Sequence, residues 1–99
     1  MQSAYAERFD REMGCTEAEW LGWLPAAIGE HAWTREGTGA VVDLSPGRLR
    51  LSWRAGEPRV IALLRLPRLH VSFRFEGVEA PARRAFMERF DLYMQRGGG

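Results

Sequence analysis

Lysine is absent from this chain of 99 residues, so all 14 of its basic side chains are arginine. Cysteine and histidine are scarce, with one cysteine, Cys15, and two histidines. A single cysteine excludes an internal disulfide, and so few thiols and imidazoles, far apart in sequence, form no recognisable zinc site. No stretch approaches the ~20 consecutive apolar residues of a membrane span. These absences predict a single cytoplasmic domain with no membrane contact and no bound metal.

The exclusive use of arginine has two explanations. Arginine binds carboxylates and phosphates through two parallel hydrogen bonds, so its use is consistent with a site for anions. A codon bias acts on every arginine, whereas a binding site needs only a few, which favours the bias. The charges are also uneven: residues 1–40 carry seven acids against three arginines, and residues 41–75 carry two acids against seven arginines. These two sections either neutralise each other within the fold or present a dipolar surface.

Residues 1–30 are predicted to be helical. Tyr5, Phe9 and Met13 recur every four residues, as on one side of a helix, and Ser3 is a suitable cap for its first turn. The next glycine is a natural stop. The sequence therefore predicts a first helix that ends before residue 15.

Two further helices are predicted. Thr16 and Glu19 have the spacing of a capping box, which opens a second helix that Pro25 interrupts and Gly29 ends. A C-terminal helix is predicted over residues 79–96, where apolar side chains recur at helical spacing. Both helices would cover a sheet with their apolar sides.

Residues 97–99 are all glycine and predict a flexible tail. They resemble the exposed diglycine ends of ubiquitin-like sulfur carriers, which implies a terminal carboxylate that a partner activates. The resemblance covers these three residues only. Those carriers place the tail after a strand of a β-grasp fold, whereas here it follows a helix.

Residues 31–76 predict an antiparallel sheet of four or five strands. Apolar and basic residues alternate over 48–54, and apolar and polar residues alternate over 68–76, which is the period of strands with one apolar face. The predicted strands cover residues 31–34, 40–44, 48–54, 59–66 and 68–76. Pro67 lies either in a turn, which we favour, or at a bulge within one bent strand. The expected fold is α+β in two layers, with the N-terminal helices and the C-terminal helix on one face of the antiparallel sheet.

The apolar side of each predicted element should contribute to one core. The residues expected there are Phe9, Trp20, Leu24, Ile28, Leu49, Leu51, Trp53, Val71, Phe73, Phe86 and Phe90.

The other face of the sheet is predicted to carry an aliphatic patch. If alternate residues of the 59–66 strand face the helices, Ile61 and Leu63 must point away from them, together with Val41. Aliphatic patches on a protein surface usually mark contact sites. We therefore predict a small soluble interaction module, most simply a homodimer or a partner of another protein, with these three residues in the interface.

Arginines should surround that patch and could bind anions. The predicted members of this cluster are Arg48, Arg50, Arg68, Arg74 and His70. Nucleic acid is a less favoured ligand, because Trp53, Phe73 and Phe75 fall on the apolar face, whereas single-strand binders place aromatic residues among the basic ones.

Groups that could perform catalysis are scarce. No nucleophile, base and orienting residue have a diagnostic spacing, so the sequence predicts no catalytic residue and no cofactor. The second alternative to an interaction module is a small enzyme with a pocket between the sheet and the helices. Such a pocket would draw on Arg83, Tyr93, Cys15 or His31.

Overall fold

The computed structural model describes residues 4–96, which form two helices and seven strands. In chain order these are β1 (Arg8–Met13), α1 (Glu17–Ile28), β2 (Trp33–Glu36), β3 (Gly39–Asp43), β4 (Arg48–Ala55), β5 (Arg59–Ile61), β6 (Leu64–Leu66), β7 (Leu69–Glu76) and α2 (Ala80–Arg96). The predicted cap Ser3 and the predicted tail, residues 97–99, lie outside the described residues. No helix within residues 4–96 is long and apolar enough to cross a membrane.

Five strands form one antiparallel sheet in the order β1-β7-β4-β3-β2, and β5 pairs with β6 in a separate hairpin. The helices lie over one face of the large sheet. From α1, the Trp20 ring lies 5.6 Å from that of Trp53 on β4, and from α2, Phe90 meets Phe73 of β7 edge-on at 5.7 Å. The predicted α+β class is confirmed.

The core forms between the helices and the sheet. Ten of the eleven residues predicted for it are buried, and Phe9 packs against them while partly exposed. The strands supply these residues from alternate positions, as in β4 and β7, where every second residue is buried. The phase predicted for the two central strands is therefore confirmed.

The first predicted helix is wrong, because residues 8–13 form strand β1. A spacing of four residues places side chains on one face of a helix, but four is also even, so it places them on one face of a strand. Pairing decides between the two: β1 lies beside β7 with Phe9 opposite Phe73, and their rings stack with centroids 4.6 Å apart. Within residues 4–30 the structure thus has one strand and one helix.

The predicted start and end of α1 are confirmed. The Thr16 hydroxyl accepts the Glu19 N–H at 3.1 Å, and the Glu19 carboxylate accepts the Thr16 N–H at 2.9 Å. Glu17 also accepts the indole N–H of Trp53 at 2.8 Å, which links the helix start to β4. The helix continues through Pro25 and ends at Gly29, whose φ is 77°.

The predicted long strand over residues 59–66 is also wrong. These residues form a hairpin, here called the arm, in which β5 and β6 are joined by Ala62 and Leu63. The arm extends from the ends of the two central strands: Ala55 pairs with Leu69, and the N–H of Gly56 donates to the carbonyl of Arg68 at 2.9 Å. Because β4 and β7 pair directly with each other, the arm has no place between them. The favoured turn at Pro67 is also wrong. The chain reverses at Ala62 and Leu63, whereas Pro67 lies in a short break between β6 and β7, where Leu66 pairs with Arg59 before the break and Leu69 with Ala55 after it.

Candidate functional site

The face of the sheet opposite the helices is uncovered in the described structure, and we call it the open face. Strand register aligns its side chains in rows that cross the strands. One row consists of Arg8, Arg74 and Arg50 on β1, β7 and β4, and we call it the arginine row. Neighbouring strands lie about 4.8 Å apart, so three cationic side chains start from adjacent positions.

The next row contains small side chains. Ser72, Ser52 and Gly39 are register neighbours on β7, β4 and β3, and the row ends in Asp10 on β1 and Glu36 on β2. Small residues beside long arginines leave a groove of about 600 Å³. We call this concavity the groove. Among its lining residues are Ser52, Ser72, Arg50, Arg74 and Glu36.

A second concavity lies on the other side of the same small residues. It has a volume of about 430 Å³ and shares Ser52 and Ser72 with the groove. Its lining includes Arg54, His70 and Asp10. Basic side chains therefore stand on both sides of a floor of serine hydroxyls.

One carboxylate, that of Glu76, partly neutralises the arginine row. Glu76 accepts hydrogen bonds from Arg50 Nε at 3.0 Å and Arg48 Nη1 at 3.2 Å. The hydrogen bond from Arg50, and after it the one from Arg48, holds the pKa of Glu76 below its ordinary value. Arg8 and Arg74, in contrast, form no hydrogen bond or ion pair with any side chain within residues 4–96.

The predicted anion cluster is divided between two ends of the face. Arg48, Arg50 and Arg74 lie at one end, near Glu76. Arg68 lies at the other, where it contacts Glu12 at 3.2 Å and donates to the Glu57 carbonyl at 2.7 Å. There the His70 Nδ1 also lies 3.9 Å from the Glu12 carboxylate.

Arg8 was missed by sequence reasoning. It joins Arg74 only because residues 8–13 form a strand that pairs with β7. The alternation of charged and apolar residues from Arg8 to Met13 is the signal that could have indicated this strand.

The predicted aliphatic centre of this face is not formed. Val41 is half-buried on β3, opposite Arg50, but Ile61 and Leu63 lie on the arm and not on the sheet. The correction follows from the arm's position: a hairpin that extends from the ends of β4 and β7 contributes no side chains to the face between them. The three predicted interface residues therefore belong to two different surfaces.

The arm is strongly apolar and strongly exposed. Within residues 4–96 six large aliphatic side chains are exposed, and five of them belong to the arm. They are Val60 (61%), Ile61 (51%), Leu63 (99%), Leu64 (63%) and Leu66 (41%). The sixth is Leu92 on α2. Register places Ile61 opposite Leu64 and Arg59 opposite Leu66, so Ile61, Leu64 and Leu66 share one face of the hairpin.

The groups considered for a catalytic pocket have structural contacts instead. Cys15 is buried, and burial together with the charge of Glu19 raises the pKa of its thiol. Arg83 donates to two backbone carbonyls, His31 lies against an aromatic ring, and the guanidinium of an arginine covers the ring of Tyr93. The space in which the pocket was expected is filled by the aromatic core.

One polar cluster was not anticipated from the sequence. Asp91 of α2 accepts hydrogen bonds from the hydroxyl of Tyr5 at 2.9 Å and from Arg11 Nη2 at 3.0 Å. The Arg11 guanidinium carbon lies 5.3 Å from the ring centres of both Phe9 and Phe73. Burial, followed by the contact with Asp91, raises the pKa of Tyr5. This cluster fastens β1 to α2.

No protein-family model matches the chain, and no curated protein is significantly similar to it. Function is therefore argued from the two surfaces themselves.

Proposed function

We propose that this protein is an interaction module that forms a homodimer through the arm. The observation that carries the proposal is the exposure of five large aliphatic side chains within seven consecutive residues. Proteins that function alone rarely leave such a patch in water, because each buried aliphatic side chain contributes about 1.5–3 kcal/mol.

The short strands and the turn of the arm also favour a bound partner. Each of its strands has three residues and pairs only with the other strand of the arm, and so short a two-stranded ribbon has little stability of its own. Ala62 in its turn has a φ of 54°, a region that favours glycine or asparagine over alanine. A hairpin with this turn gains stability when a second surface covers its apolar face.

The distribution of apolar surface favours a second copy of the chain. In a twofold dimer the same patch occurs on both sides of the interface and meets itself. Apart from the arm, the described surface offers only Leu92 as an exposed large aliphatic residue. Arm against arm is therefore the arrangement in which this chain best covers its own patch. We also propose a cytoplasmic location, which is consistent with a single buried cysteine.

The test is the oligomeric state. Light scattering across a concentration series should show a dimer of the wild-type protein, and Leu63→Glu should give a folded monomer, because a charge is poorly tolerated in a desolvated interface. Leu92→Glu is the matched control: it places the same charge on an exposed leucine of α2 and should leave the dimer intact. A wild-type protein that is monomeric at high micromolar concentration would refute the homodimer. Dissociation by both variants alike would refute the role of the arm.

A further inference from the structure

The arginine row is electrostatically unfavourable as it stands. Arg74 is directly opposite Arg8 on one side and Arg50 on the other. Like charges at directly opposed positions destabilise a sheet. An anion placed over the row would relieve this repulsion, since guanidinium groups bind phosphoryl oxygens in pairs.

The protein's own acids do not complete this compensation. Glu76 lies two residues beyond Arg74 on the same strand, but it is already bound by Arg50 and Arg48. Arg8 and Arg74 are left without an acidic partner among the described side chains. The row thus presents two uncompensated charges beside a third that is shared.

The floor next to the row is polar and uncharged. Ser52 and Ser72 contribute hydroxyl groups, and Gly39 adds no side chain to the floor. The Ser72 hydroxyl donates to Asp10 at 2.7 Å, so its oxygen remains available as an acceptor. Glu36 provides carboxylate acceptors at the β2 end of the groove. Such acceptors suit a ligand whose remaining groups are hydroxyls.

We propose that the groove binds a small phosphate monoester of a hydroxylated molecule, of the sugar phosphate class. The phosphoryl group lies over the arginine row, between Arg50 and Arg74 and within reach of Arg8. The hydroxylated part lies along the serine floor and donates to Glu36. The volume of about 600 Å³ is within the usual range for small-molecule sites.

The same features disfavour a nucleic acid strand. Asp10 and Glu36 close the two ends of the serine row, so an extended polyanion along it would meet a carboxylate at each end. The aromatic side chains of the central strands, Trp53, Phe73 and Phe75, are buried on the other face, so they are not available for base stacking. A compact anion with one charged end fits the distribution of charge better.

Calorimetric titration of the wild-type protein should be carried out with glucose 6-phosphate, inorganic phosphate, glucose and a short single-stranded oligonucleotide. We expect glucose 6-phosphate to bind most tightly and glucose not at all. Arg74→Gln should raise the dissociation constant for glucose 6-phosphate by about tenfold to a hundredfold, the usual effect of losing a charged hydrogen bond. The matched control, Arg84→Gln, removes an exposed arginine of α2 and should leave the constant unchanged.

Arg74→Gln has a second expected effect, because it removes the central charge of the row. In the absence of ligand its melting temperature should be equal to or higher than that of the wild type, whereas a purely structural arginine would lower it when replaced. NMR of the wild-type protein provides a readout without any variant: glucose 6-phosphate should shift the backbone amide signals of Ser52 and Ser72 and leave those of Leu63 and Leu64 unchanged.

Four results would overturn the proposal. They are glucose 6-phosphate binding no tighter than inorganic phosphate, the oligonucleotide binding most tightly, signal shifts outside the groove, or no binding at millimolar concentrations. The groove is separate from the arm, so Leu63→Glu should retain ligand binding even as it abolishes dimerisation. Failure of one proposal is thus distinguishable from failure of the other.

Discussion

Replacement of Phe73 by alanine tests the strand phase that positions both surfaces. Phe73 is 1% exposed, stacks on Phe9 at 4.6 Å and meets Phe90 edge-on at 5.7 Å. Emptying an aromatic core site costs about 3–5 kcal/mol, and each aromatic pair is worth a further ~0.5–1.5 kcal/mol beyond area burial. Since rings contact Phe73 from two elements, we expect a loss in the free energy of unfolding near the upper end, about 4–5 kcal/mol.

The assay is urea denaturation followed by circular dichroism. The free energy of unfolding of native domains is about 5–15 kcal/mol, so Phe73→Ala should strongly lower the urea concentration at the midpoint or leave the protein partly unfolded. Leu92→Ala is the control, because Leu92 is 47% exposed and its truncation should change stability by no more than ~0.5 kcal/mol. A loss below about 1 kcal/mol for Phe73→Ala would show that β7 presents its other face to the helices.

Two further predictions concern charged contacts. Asp91→Asn weakens the hydrogen bonds from Arg11 and should lower the free energy of unfolding, measured by urea denaturation, by about 1–3 kcal/mol. The control Glu88→Gln, in an exposed ion pair on α2, should lower it by less than ~0.5 kcal/mol. Equal losses for the two variants would contradict this prediction. For Glu76, whose pKa is lowered in the folded protein chiefly by Arg50, the contribution to stability is present above the ordinary glutamate pKa of about 4.3 and is lost as pH falls through the folded value. As the pH is lowered through the acidic range, the melting temperature of Glu76→Gln should therefore fall less steeply than that of the wild type. Parallel curves of melting temperature against pH would exclude this role of Glu76.

Local signals in the sequence were sufficient for several elements. The capping box of Thr16 and Glu19 involves residues three apart, so it could be recognised without knowledge of the fold. The alternation in β4 and β7 is long enough to exclude a helix. In both cases the deciding signal, a local hydrogen-bond pair or a regular alternation, lies within the element itself.

The wrong predictions arose where distant pairing decides the structure. Residues 5–13 satisfy helical and strand spacing alike, and only β7 selects the strand. Residues 59–66 have strand-like composition, but direct pairing of β4 with β7 excludes them from the sheet. The arginine row depends on the same pairing, so Arg8 could not be assigned to the site from its own neighbourhood.

The order of the strands in the sheet has a consequence for how the protein folds. β2, β3 and β4 are consecutive in sequence and neighbours in space, so short connections can bring them together early. β1 is made first but pairs only with β7, the last strand, and closing so long a loop is entropically costly. We expect β1 to be the last strand to dock. The arginine row would then assemble only at the end of folding, and a chain caught before that step would display an unpaired edge of β7 to its neighbours.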